Sequence, residues 1–250
     1  MLIGAYVSGV LSVRFGVPLL LAAPLAGAAT FVFGVLVGFP ALRTRGIYLI
    51  LVTVGIAVSV RGVIESIDYV GGVQGFGGMS GTSPWHVVVL VIAVGLGLWL
   101  LSRSPLQRIL DAVREDELAA RSLGINVVHV KLMCFGAGGF LAAVAGSFYA
   151  HYMLHVTPDE FGILVSVYIV LYVVLGGANN MWGPPVGATI MTLVPELIRG
   201  IAEWRPMVFG LMIIILLLLR PDGLLALRIA TLRRGRTASA AADDSAPGVR

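Results

Sequence analysis

Four stretches of this 250-residue chain carry no Asp, Glu, Lys or Arg: Phe15 to Leu42, Tyr69 to Ser102, Leu132 to Pro158 and Phe161 to Pro195. Each exceeds the ~20 residues that a helix needs to cross a bilayer. A soluble fold would have to bury all four at once, and the composition leaves too little polar surface to cover them. Hydrophobic residues make up 58% of the chain and charged residues 12%, with a mean hydropathy of +0.97, whereas soluble domains carry about a quarter charged residues. Inside lipid a segment must satisfy its own backbone hydrogen bonds, which favours helices. The 32 glycines suit such a fold, because small residues let membrane helices approach closely where no hydrophobic effect drives them together. The expected fold class is therefore all-α, a polytopic transmembrane helical bundle of about 7–8 spans.

Hydropathy places the segments near residues 2–13, 17–38, 46–64, 85–102, 131–154, 161–177, 184–201 and 206–220. If their connections alternate sides, one side receives thirteen of the seventeen basic residues, among them Arg103, Arg108, Arg114, Arg121, Lys131 and Arg220. The other receives only Arg14, Arg61, Arg199 and Arg205. The positive-inside bias makes the first side cytoplasmic, together with the C-terminus, and puts Glu65, Asp68, Asp159 and Glu160 outside. The net charge of +4 and pI near 9.6 thus report membrane orientation, and nucleic acid is not an expected partner. Met1 to Val13 is too short for a span and lacks a basic leader, so it reads as the tail of a helix. Residues 1–226 are expected to form the membrane domain. Residues 227–250, rich in Arg and then in Ala, Ser and Asp, read as a disordered cytoplasmic tail.

The longest basic connection, residues 103–130, has a helical pattern of its own. Ser104 and Pro105 are a helix start, with Ser expected to cap free amides and Pro suited to the first helical position. Leu106, Ile109, Leu110 and Val113 recur on one face, with Arg108, Asp111 and Arg114 opposite. Asp116 to Leu123 forms a further turn or two, and Gly124 suits a left-handed C-terminal cap. Such an element either lies on the membrane surface or docks a soluble partner.

These residues also carry a resemblance. SPLQRILDAVREDELAARSLGIN, at Ser104 to Asn126, resembles the cytoplasmic coupling segment of the inner-membrane permeases of ABC importers, specifically the branched-chain amino acid (LivM-like) family. The likeness continues through VKLMCFGAGGFLAAVAGSFYAHY, VTPDEF, VLGGANNMWGPPVGA and RPDGLL, and upstream through ALRTRGIYLILVT and GGVQGF. It implies a permease subunit of an ATP-driven importer in a bacterial inner membrane, translocating branched-chain or related amino acids, with urea or short amides as the alternative cargo. It implies as partners a second, homologous permease subunit, two cytoplasmic ATPase subunits that hydrolyse the ATP, and an extracytoplasmic substrate-binding protein, all in contact with membrane lipid. The resemblance assigns Glu117, Ala120 and Gly124 to ATPase coupling, and Thr53, Arg61, Gly71, Gly72, Gly176 and Gly177 to translocation or gating. Family members carry further spans upstream of IGAYVSGVL, so the family's N-terminal spans are expected to be missing from this chain.

Other constellations point to packing. Gly138, Ala142, Gly146 and Ala150 recur every fourth residue and read as a helix-packing stripe. Gly71 to Gly81 reads as a mobile external loop or a re-entrant segment. The glycine-rich break from Gly176 to Pro185, with Asn179 and Asn180, reads as a connecting loop, with gating as its sharper alternative. His151 and His155 have metal-ligand spacing, but Pro158 breaks the face before a third ligand, so interfacial anchoring is the better reading and no metal site is expected. Glu196 and Arg199 are spaced for a structural ion pair. The single lysine, Lys131, stands in no GxxxxGK[ST] loop, so energy must come from partners or from an ion gradient. The chain is expected to be a transport subunit rather than an enzyme, binding no cofactor itself. An ion-coupled secondary transporter is the remaining alternative, disfavoured by the absence of ionisable residues from span centres.

Overall fold

The computed structural model describes residues 1–177 other than Arg43, Arg45 and Ser80, together with residues 182–197 and Gly210. Nine helices appear among the described residues: α1 (Leu2–Phe15), α2 (Leu19–Ala41), α3 (Ile47–Glu65), α4 (Pro84–Ser102), α5 (Pro105–Glu115), α6 (Glu117–Ser122), α7 (Val127–Met153), α8 (Ile163–Gly176) and α9 (Gly183–Leu197). Two-residue strands β1 (Phe76–Gly77) and β2 (His155–Val156) pair antiparallel. Among the described residues, five helical stretches are long and apolar enough to cross a membrane: Leu19–Ala41, Tyr48–Glu65, Pro84–Ser102, Val127–Met153 and Pro158–Gly176. The chain is an integral membrane protein with an all-α bundle. The expected segment at 2–13 appears as α1 and that at 184–201 as α9, described as far as Leu197, whereas the segment at 206–220, RPDGLL and the tail at 227–250 lie outside the described residues apart from Gly210.

The described residues fall into two compact units, one of residues 1–163 and one that begins at Leu164. In the first, α2 lies antiparallel along α7 on a seam of small residues. A Cβ added at Gly27 would meet the Phe140 ring, one at Gly38 would meet Phe135 and Leu132, and Gly34 faces the Gly136 backbone. The shorter α1 covers the C-terminal half of α7. Gly4 sits against the Ala143 backbone, Gly146 sits against Met1, and the Ser147 hydroxyl donates to the Gly4 carbonyl at 3.0 Å. The expected stripe is therefore right at Gly146 and Ala150 and wrong at Gly138, which is exposed with open space around it. A strict four-residue repeat drifts around a helix of 3.6 residues per turn. The N-terminal half of α7 uses Gly136 in the seam instead.

In the second unit the backbones of α8 and α9 touch. A Cβ on Gly176 would meet the Gly183 carbonyl, one on Gly183 would meet the Gly177 carbonyl, and one on Gly187 would meet the Tyr172 carbonyl. Gly183 and Gly187 are one turn apart, the spacing that lets membrane helices come together at their backbones.

Candidate functional site

At one end of the first unit, the chain leaves α4 with the Arg103 guanidinium 3.9 Å from the centre of the Trp99 ring. Pro105 opens α5 as expected, but Ser104 caps nothing with its side chain. Its hydroxyl donates back to the Leu101 carbonyl at 2.7 Å, spending itself on the end of α4. The side-chain cap of this element is Asp116, whose carboxylate accepts from the Leu118 and Ala119 amides at 2.7 and 3.1 Å and so starts α6. Gly124 takes a left-handed φ of 82°. Its amide donates to the Arg121 carbonyl and the Ile125 amide to the Ala120 carbonyl, the paired bonds of a Schellman helix stop. Asn126 then caps α7, accepting from the His129 amide at 3.1 Å.

These stops and starts fold α5, α6 and the first turn of α7 around a small apolar core of Val113, Ala120 and Val127. Ala120 is only 1% exposed, so its small side chain serves contact inside this chain. The Glu117 carboxylate accepts from the Lys131 ammonium on α7. Facing away are Leu118 and Leu123, each 77% exposed.

The opposite end gathers the other connections. The Arg14 guanidinium stacks 4.7 Å from the centre of the Tyr69 ring. Arg61, near the end of α3, donates through Nε to Glu65 at 2.6 Å and through a terminal nitrogen to Asp159. The segment expected as a mobile or re-entrant loop is instead pinned: two short 3-10 turns, at Asp68–Val70 and Gly72–Gln74, lead into β1, which pairs with β2. Phe76 and Met79 are buried in a cluster with Ala5 and Tyr6 of α1. Gly71, at φ 84°, is the joint of these turns, where a Cβ would run into the Gly75 carbonyl. Gly72 is also left-handed, at φ 54°.

The sequence candidates therefore fall in three places. Glu117, Ala120 and Gly124 come together. Arg61, Gly71 and Gly72 share the opposite end, while Thr53 stands apart on α3, about 12 Å along the helix from Arg61, its hydroxyl donating to the Ile50 carbonyl at 2.9 Å. Gly176 and Gly177 belong to the α8–α9 contact, and Asn179, Asn180 and Arg199 lie outside the described residues, as does the Glu196 side chain. His151 is not an interfacial anchor: it is fully buried, with Nδ1 2.9 Å from the Ser147 carbonyl. No group of three or more metal-ligating side chains occurs among the described residues.

Sequence reasoning passed over Lys131 and Asp159, the ionic partners of Glu117 and Arg61. It also passed over Leu118 and Leu123, whose signal was two leucines beside charged residues on a short helix outside any apolar run.

The family of branched-chain amino acid transport system permease components matches residues 1–219. The chain belongs to this family. Among individual relatives, it is 31% identical to the high-affinity branched-chain amino acid transport system permease protein LivM of Salmonella typhimurium, over 89% of this chain and 61% of that one. It is 32% identical to the autoinducer 2 import system permease protein LsrC of Klebsiella pneumoniae, over 62% of this chain and 46% of that one. Similarity extends to the fructose import permease protein FruF of Bifidobacterium longum, at 29% identity over 52% of this chain and 38% of that one. The chain thus spans about three fifths of the length of the LivM proteins it matches. No solved structure matches it.

Proposed function

We propose that this chain is the membrane-spanning subunit of an ATP-driven importer for branched-chain or related amino acids. In this reading it works with a second permease subunit, two cytoplasmic ATPases and an extracytoplasmic binding protein, binds no cofactor itself, and keeps its C-terminus in the cytoplasm of a bacterial inner membrane. The observation that carries the reading is the α5–α6 element. It is a small, separately capped and cored structure between two apolar helices, with Leu118 and Leu123 held out at 77% exposure. Charges at Arg108, Asp111, Glu115, Asp116 and Arg121 keep it out of hydrocarbon. Two leucines raised on a rigid stop-and-start motif are apolar knobs for a soluble partner, and the nucleotide-driven movement of that partner would tilt the helices behind them.

Cargo is the weaker link to sequence, because relatives over the same region carry names for amino acid, autoinducer and fructose import. In the proposed assembly the binding protein chooses the cargo and this chain supplies passage.

The test is reconstitution of the chain in liposomes with a second permease subunit, ATPase subunits and a binding protein from the same organism, followed by uptake of labelled leucine. ATP-dependent uptake that requires the binding protein is the expected result. Uptake of urea or acetamide in place of leucine would move the cargo. Uptake driven by an ion gradient without ATPase would overturn the reading. Leu118→Glu combined with Leu123→Glu should release the ATPase on co-purification while leaving the amount of membrane protein unchanged.

A further inference from the structure

The face of α6 opposite the exposed leucines is fastened to one particular helix. Ala120 packs with Val113 and Val127, Ile125 and Val130 pack against the same core, and the Lys131 ammonium donates to the Glu117 carboxylate. Lys131 is the only lysine in the chain and stands just over a turn into α7. The element is therefore joined to α7 by a core, a helix cap and an ion pair, whereas its junction with α4 is the Arg103–Ser104 turn. The whole of α7 runs 27 residues, about 40 Å, with α2 along it and α1 over its C-terminal half.

We propose that Lys131 is a positioning residue: by holding Glu117 it latches the α5–α6 element to α7, so that displacement of the element is delivered to α7. This rests on the coupling role proposed above and deepens it. An exposed ion pair contributes little to stability, and Lys131 acts instead by fixing direction. A core of three small and branched side chains resists separation but tolerates rotation, and a charge pair off to one side of that core removes the rotation.

Two measurements test the latch. In the full chain in lipid nanodiscs, the native Cys134, exposed on α7, and an introduced Arg108→Cys on α5 carry spin labels. The distance distribution should be narrow in this labelled chain, broad in Lys131→Glu, and narrow again in Lys131→Arg and in the charge-reversed pair Glu117→Lys/Lys131→Glu. In the reconstituted importer, Lys131→Glu should keep its ATPase bound and hydrolysing while leucine moved per ATP falls roughly tenfold, with the reversed pair recovering most of the loss. An unchanged distance distribution in Lys131→Glu overturns the latch, as does failure of the reversed pair to narrow it. Because the distance measurement needs no ATPase, a parent chain that never binds one sinks the proposed function and leaves the latch to be judged on the distances.

Discussion

The α2–α7 seam and the pair α3 and α4 are made of similar residues and behave in opposite ways. Along the seam Ala23, Ala26, Gly27, Gly34 and Gly38 are buried against α7, whereas no described side chain of α3 or α4 is buried. Gly55 and Gly62 on α3 and Gly95 and Gly97 on α4 have nothing within 4 Å of an added Cβ. Hydropathy alone does not separate the two regions, because lipid and helix interior are equally apolar. Small residues at helix spacing do not separate them either, since α3 has Gly55, Ser59 and Gly62 on one face; what differs is that the small residues of α2 meet a second helix.

That contrast is broken most directly at Gly4. A Cβ there falls on the Ala143 backbone, which cannot move aside as a side chain end can. Gly4→Val should cost about 3 kcal/mol, the upper part of the usual overpacking range, read as a large drop in monodisperse protein after detergent extraction and in its unfolding temperature.

Gly136→Ala tests the α2 side of α7 more gently. Its Cβ would lie 2.9 Å from the Phe31 ring and 3.0 Å from a Val35 methyl, and both are side-chain ends that can yield. A loss of about 1–2 kcal/mol is expected, measured by thermal unfolding in the same detergent.

Gly124 sharpens the comparison because it belongs to neither region: nothing lies near it, and its requirement is the left-handed φ of 82°. Gly124→Val should cost about 1–2 kcal/mol through backbone strain alone. Membrane abundance should hold while leucine uptake falls, and normal uptake in the Gly124→Val/Glu117→Ala double variant would remove the coupling assignment.

The smallest effect has the opposite sign. With open space around Gly95, Gly95→Ala should stabilise α4 by about 0.5 kcal/mol through backbone entropy, seen as a slight rise in unfolding temperature. A fall would show that another surface already occupies that face.

The spans were legible because charge-free runs longer than the bilayer are hard to explain otherwise, and Gly124 was legible because glycine after a short helix has few other uses. The Asp116 cap of α6 was written just as openly but drew no capping argument; Ser104 did, and it stands at the start of α5 with its hydroxyl bonded back to Leu101 instead of capping. The Glu117–Lys131 and Arg61–Asp159 pairs were not legible. Each joins residues separated by a turn or by most of the unit, and a list of charges carries no distances. The pairing of β1 with β2 had no signal either, since two residues cannot show a period.

The hold of α1 on α7 has a consequence for the timing of biogenesis. The buried face of α1, Gly4, Ala5, Tyr6, Ser8 and Gly9, is mostly small residues and backbone, a surface shaped for another helix. The residues it grips, Ala143 to Ser147, are synthesised about 140 positions later, which at ~5–20 residues per second is roughly 7–30 s. For that interval the ribosome has delivered a helix whose seat does not yet exist. Until α7 arrives that face lacks the helix it grips in the finished fold, so a translational pause before Ala143 should lengthen the window in which proteases can remove the unfinished chain.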